Sequence, residues 1–501
     1  IGDSITQGFQ HLAIRRPEWS YAAMVARVLG GSFRQADFAG PGGRGGPLVD
    51  LELVLRRLAQ RCGRRFDVWD VPLALASLAS FLDEVEDYWE RGDGARASPG
   101  VELHHDLSVW GLEVLDALTL TDGACLRALP PPRDDLLAVP ELGQYRTLRR
   151  VYNPTQALAL EERTALELAG EVAAREGGVE NLIVALGANN VLGACVQLDL
   201  RWSQSADLRK LPHERSVTVW EEAHFARVYA DLAARVAAIG AQRVFLANVP
   251  HVTIAPITRG VSPRARASGG AIPPLYRPPG ATRGYYEYYT HFWVWDDDFD
   301  PRRHPHLTRE QAIALDRTVD AYNAIIQREA DARGFRVIDF CAALDGLSFR
   351  GTEGAPTYPL PTGLGHAMAA NPATAHRALS DGTLLLDARY LSIPSAPLPA
   401  STPPDELRRA YRGGLFGLDG AHPTTIGYGL VAHLVLDAMK AAGVPGAEPG
   451  ALPWDAIVAA DTLVTDTPPL LESLRDTLAA LFGKLPLERA ILKAAGYGAE
   501  P

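Results

Sequence analysis

The chain is expected to fold as an α/β protein, a mostly parallel sheet with helices on both faces. Three observations carry that expectation. Short apolar runs alternate with longer segments whose apolar residues recur near every 3.6 positions. Glycines stand where those helical segments should stop. The run Asn181-Leu-Ile-Val-Ala-Leu186 is continuously apolar, as a strand covered on both faces must be.

Taken in order, the chain opens on Ile1-Gly2-Asp3-Ser4, which reads as the tail of a strand rather than a natural start, so a preceding segment and any export signal are expected to be missing. Ser20 can cap a helix that carries Tyr21, Met24, Val25, Val28 and Leu29 on one face and stops at Gly30-Gly31. Residues 33–39 read as a short strand ending at the turn Gly40-Pro-Gly-Gly43. Helices are expected over 48–61 and 75–91; in the second, Leu78, Phe81, Leu82, Val85 and Trp89 keep the helical period. Pro130-Pro-Pro132 interrupts regular structure within 92–160.

A helix over 160–176, stopped by Gly177-Gly178, leads into the strand 181–186. The same unit recurs as a helix over 221–239 and a strand over 243–247. After an aromatic excursion over 250–306, Thr308 and Gln311 form a capping-box signal that opens a helix to Arg333. A strand over 335–339, a further excursion over 344–418 and a helix over 425–442 complete the alternation, which argues for a parallel sheet.

Composition narrows the function. The 501 residues are 47% hydrophobic and 22% charged, an ordinary globular balance. The net charge of −11 is opposite to what gripping nucleic acid or an anionic membrane requires. Cys62, Cys125, Cys195 and Cys341 are widely spaced, which fits isolated thiols rather than a zinc site or a disulfide framework. No stretch reads as a transmembrane helix: the longest uncharged run, 182–198, is interrupted by Gly187, Asn189, Asn190 and Gln197.

Four short segments carry chemistry, each just past an expected strand. Gly2-Asp3-Ser4 presents a serine where ligand sites of open parallel sheets gather. Asp419-Gly-Ala-His422 can deliver a base for that serine together with the carboxylate that orients it. Asn189, after Gly187, can donate its side-chain amide to a developing oxyanion, and the glycine loop at Gly42 and Gly43 can offer a backbone N–H to the same atom. Singly, each also reads as a turn or a cap; together they supply nucleophile, base, orienting acid and oxyanion donors.

With these residues in place the chain resembles the SGNH or GDSL hydrolases. Gly2-Asp3-Ser4-Ile5-Thr6 looks like the family's first block, Phe38-Ala-Gly-Pro-Gly42 its second, Gly187-Ala-Asn189 its third and Asp419-Gly-Ala-His422-Pro423 its last, in family order. The resemblance implies a three-layer α/β/α sandwich with a flavodoxin-like parallel sheet of about five strands. It implies Ser4 as nucleophile, His422 as base and Asp419 as its partner, with Ser4, Gly42 (or Gly43) and Asn189 forming the oxyanion hole. Two features depart from the pattern: Asn190 stands where the family usually has Asp, and the first strand is nearly absent. The implied activity is cleavage of a carboxylic ester through an acyl-enzyme on Ser4, as in esterases and lipase-like enzymes, with no metal or organic cofactor. The alternatives are an O-acyltransferase using the same residues and a non-catalytic binding protein on a hydrolase core.

The spacings between blocks far exceed the roughly 30 residues of one βαβ crossover. The core is therefore assigned to 1–49, 161–254, 307–343 and 415–445. Around it lie a helical cap insertion over 50–160, an aromatic-rich loop insertion over 255–306, a Pro/Gly-rich insertion over 344–414 and a C-terminal helical extension over 446–501. Within the aromatic stretch, Tyr286, Tyr289 and Trp293 are candidates to wall a site for the acyl chain or sugar ring of a small-molecule, glycan or lipid ester. Asp296–Asp298 with His304 and His306 reads as a solvated acidic loop beside Arg302 and Arg303 rather than a metal site.

Overall fold

The computed structural model describes residues 1–473 apart from 41–45, 48, 64–68, 70, 96–101, 133, 135–138, 210–215, 263–274, 280–282, 296, 349, 351–356, 395–397 and 400. It is a mixed α/β protein. Its strands are β1 (Phe9–Gln10), β2 (Ala13–Ile14), β3 (Asn181–Val184), β4 (Arg243–Ala247), β5 (Thr258–Val261), β6 (Tyr288–His291), β7 (Leu307–Thr308) and β8 (Arg336–Ile338).

The central sheet is parallel, in the order β3-β4-β8. Ile183 faces Phe245 across the first pair and Leu246 faces Val337 across the second. Ile1 and Gly2 run beside β3: Ala185 N–H donates to Ile1 O at 3.0 Å, and Gly2 bridges Ala185 in parallel. Among the described residues the sheet thus has three strands and this one bridge, short of the five expected. Residues 33–39 form no strand. Arg34 O accepts from the amides of His105 and Asp106, and Asp37 turns its carboxylate onto Ala39 N–H, so the segment is spent on local loop bonds instead of a ladder.

The side chains of β4 show how the sheet is covered. Val244 and Leu246 belong to one buried cluster, with Leu232 and Val236 of the helix Glu222–Ala238 and Leu315, Val319 and Tyr322 of the helix Arg309–Asp331. Phe245 and Ala247 belong to a second, with Tyr21 and Met24 of the helix Tyr21–Val28 and Ile426, Val435 and Leu436 of the helix Thr425–Ala441. The period of two in a strand sends successive side chains to opposite faces, so each face has its own apolar cover.

Helix starts follow their sequence signals. Ser20 accepts from Ala23 N–H, and Thr308 and Gln311 close a reciprocal capping box. Thr164 and Glu167 form another at the helix Ala165–Glu176. The helices Leu51–Cys62 and Val71–Glu90 follow the expected pattern, the first capped by Asp50. The excursion over 255–306 is more ordered than a loop: β5, β6 and β7 pair into an antiparallel sheet, with Thr258 opposite His291. Among the described residues no helix is long and apolar enough to cross a membrane.

Candidate functional site

Ser4 opens the short helix Ser4–Gln7 at the end of the Ile1-Gly2 strand segment. Gly2 is required there, since a Cβ would sit 2.2 Å from Thr6 Oγ1. Asp3 caps the helix by accepting from Ile5 N–H at 3.0 Å. Burial raises the Asp3 carboxyl to about 6, against the opposing pull of the Ile5 N–H and of His422.

Ser4 Oγ lies 2.9 Å from His422 Nε2, and His422 Nδ1 lies 3.0 Å from Asp419 Oδ2. Residues 418 positions apart in the chain are joined because the Asp419–His422 turn folds over the same sheet edge. The turn is closed by Gly417 N–H on His422 O at 2.8 Å. Gly420 sits at φ +67°, where a Cβ would come 2.7 Å from Ile257 N, so glycine is the residue that fits. Asp419 also accepts from the amides of Ala421 and His422, each at 2.9 Å, and from Leu12 N–H at 2.8 Å. Burial works against its charge, but His422 and these donors outweigh burial and hold the carboxyl well below the usual range. A carboxylate so fixed keeps one imidazole orientation and leaves Nε2 to take a proton from Ser4.

Asn189 begins the helix Asn189–Gln197 just past β3. Its Nδ2 donates to Leu112 O at 2.9 Å, which leaves the second amide hydrogen for another acceptor. Gly187 turns the chain at φ +130°, where a Cβ would press Val249 at 2.8 Å. Asn190 Oδ1 accepts from Val114 N–H at 3.2 Å, so the amide oxygen anchors the 112–114 segment where the resembled family has a carboxylate. The expected glycine donors, Gly42 and Gly43, lie outside the described residues.

The segment 108–112 runs beside the serine. Val109 N–H donates to Gly2 O, and Gln7 is bonded to Ser108 O and Trp110 N–H. The Phe9 ring packs at a tilt against His422, with centroids 4.7 Å apart, and against Trp110, at 5.6 Å. Leu12, Phe9, Trp110 and Leu112 carry no motif; all four act through backbone groups or ring contacts, which leave no mark in sequence.

A cavity of about 130 Å³ lies alongside, lined by Ile5, Ala188, Ala421 and Pro423, each adjacent in sequence to a site residue. Leu344, Leu430 and Leu434 extend its apolar wall. Tyr286, Tyr289 and Trp293 are not among its lining residues. Tyr286 and Tyr289 line a second cavity, where the Tyr289 hydroxyl accepts from Arg350 Nη1 at 3.2 Å. Trp293 instead stacks on His291 at 4.2 Å.

His251, Cys341 and Asp345 bring potential ligand atoms within 4.8 Å of one another. The Arg283 guanidinium packs on the His251 ring and pairs with Asp320 at 3.0 Å, which makes the group an ion-pair network. Burial opposes charge on His251, yet its bonds to Asp320 and Asp345 push it up to about 11. His304 and His306 pack with Phe299 and Tyr288 in their loop.

The chain matches no protein-family model, no curated protein and no solved structure.

Proposed function

We propose that the protein is a serine hydrolase of SGNH/GDSL type that cleaves a carboxylic ester. The observation that carries the reading is the continuous chain Ser4 Oγ–His422–Asp419, with contacts of 2.9 and 3.0 Å. The separate apolar clusters on the two faces of β4 support a three-layer α/β/α core.

In this reading Ser4 attacks the acyl carbonyl while His422 Nε2 takes its proton. Asp419 fixes the ring and stabilises the imidazolium that forms. The Ser4 amide and the free Asn189 N–H hold the oxyanion, a role shared with Gly42 in the resembled family. His422 then protonates the leaving alcohol, and water delivered to the same base releases the acid. The apolar cavity flanked by Ile5, Ala188 and Pro423 accommodates a short acyl chain.

Labelling with a fluorophosphonate probe, read by intact mass, tests the assignment. One adduct is expected on the wild-type chain and none on Ser4→Ala. An adduct of equal yield on Ser4→Ala would overturn it. Ester hydrolysis in water without an added acceptor alcohol separates hydrolase from acyltransferase.

A further inference from the structure

The second cavity has a different character from the one beside Ser4. It measures about 310 Å³, at the lower end of small-molecule sites. Four arginines line it, Arg259, Arg350, Arg389 and Arg412, and among its described lining residues there is no aspartate or glutamate. They come from β5 and from three separate places in the 344–414 excursion, so tertiary folding alone brings them together.

Arg350 is the deepest, 4% exposed. Its Nη2 donates to Asp316 at 2.7 Å, and its Nη1 donates to Thr253 Oγ1 at 2.7 Å. The Nε, buried in the wall, has no hydrogen-bond partner. Arg389 is steadied by Asp387, its Nε donating at 3.0 Å, and Arg259 lies over the Trp295 ring at 5.0 Å. Asp316 and Asp387 pair with Arg350 and Arg389 and are not among the lining residues. A guanidinium presents a planar fork of donors that matches the oxygens of a carboxylate or phosphate. Four guanidiniums around one cavity with no acidic group in its described lining, together with one unused buried donor on Arg350, suit an anion. Tyr286, Phe292, Trp295 and Tyr390 supply flat apolar surface for the body that carries it.

We propose that this cavity binds a small organic anion, a carboxylate or phosphate group on an aromatic or apolar body. Ser4, Asp419 and His422 are not among its lining residues. Its wall is nevertheless tied to the Asp419 turn: Ile257 N–H donates to Gly420 O at 2.7 Å, and Tyr390 donates its hydroxyl to Leu418 O at 2.8 Å.

Isothermal titration of the full chain with phenyl phosphate, benzoate and neutral benzyl alcohol, in low-salt buffer free of phosphate, tests this. Phenyl phosphate or benzoate is expected to bind and benzyl alcohol to fail. Arg259→Ala and Arg412→Ala are each expected to weaken the anion about tenfold. Both lie nearer the rim than Arg350, and their thermal unfolding is measured alongside to show that they are folded. Ser4→Ala should bind as the wild type does. Failure of both anions to bind, benzyl alcohol binding as tightly as they do, unchanged affinity in both arginine variants, or loss of binding in Ser4→Ala would overturn the proposal.

Discussion

The imidazole of His11 accepts the backbone N–H of Leu418 on Nδ1 at 2.9 Å, and so holds the residue that precedes Asp419. Its Nε2 lies 3.2 Å from Glu52 Oε2, and Glu52 is in turn held by Arg15 at 3.0 Å and Arg56 at 2.7 Å. His11 and Leu12 are the two central residues of the β1–β2 turn, at φ +56° and +69°. Such a turn favours glycine or asparagine, so a histidine and a leucine there carry strain. The bonds from His11 and Leu12 to the 418–419 backbone and carboxylate keep the turn in this shape.

That arrangement makes His11 a positioning residue. His11→Ala should cost about 1–3 kcal/mol, because the buried Leu418 N–H loses its acceptor. It should also lower kcat for ester hydrolysis with KM little changed. His11→Gln, whose amide oxygen can accept the same N–H, should recover part of the kcat. Urea unfolding and steady-state kinetics on the three proteins check both halves.

Asp419→Asn is expected to lower kcat by about 10⁴-fold while the chain stays folded. The substituted amide would turn a donor toward His422 Nδ1 or Leu12 N–H, where both groups now donate to the carboxylate. Kinetics with a chromogenic ester, beside a circular dichroism spectrum, separate lost orientation from lost folding.

Asn189→Ala should lose about 10²–10³ in kcat through its missing oxyanion donor. The structure adds a stability cost of about 1–3 kcal/mol, since Leu112 O would lose its partner inside the protein. A variant that keeps full kcat but is less stable would mean the asparagine serves the 112–114 segment alone.

Asp3 gives a pH prediction. Its folded carboxyl is raised to about 6, above the ordinary 3.8, so the folded state holds the proton more tightly. The stabilisation that follows is fully present below about pH 4 and is lost as pH rises through about 6. Asp3→Asn keeps the oxygen that caps Ile5 and removes the charge. It should therefore be more stable than the wild type at pH 7.5, by about 1–3 kcal/mol, with the gap closing by pH 4. Denaturation midpoints across that range are the measurement.

The sequence by itself determined much of this protein. Local chemistry marked the helix starts at Ser20 and Thr308, because a cap needs only a side chain and an amide three residues on. The apolar runs at 181–186 and 243–247 marked buried strands, since period and composition are local properties. Ser4, Asn189, Asp419 and His422 were legible because their short blocks carry the chemistry in adjacent residues. Tertiary structure alone decided what those residues touch. Residues 33–39 read as a short strand, yet a strand exists only when a partner edge is free, and here the Arg34 carbonyl bonds to 105–106 instead. Tyr286 and Tyr289 read as walls for Ser4, but the fold places both in the lining of the arginine-lined cavity. The hold of Leu12 N–H and His11 on the Asp419 turn spans about 400 positions of chain. Such contacts arise from packing of distant segments, and no window of sequence contains both partners.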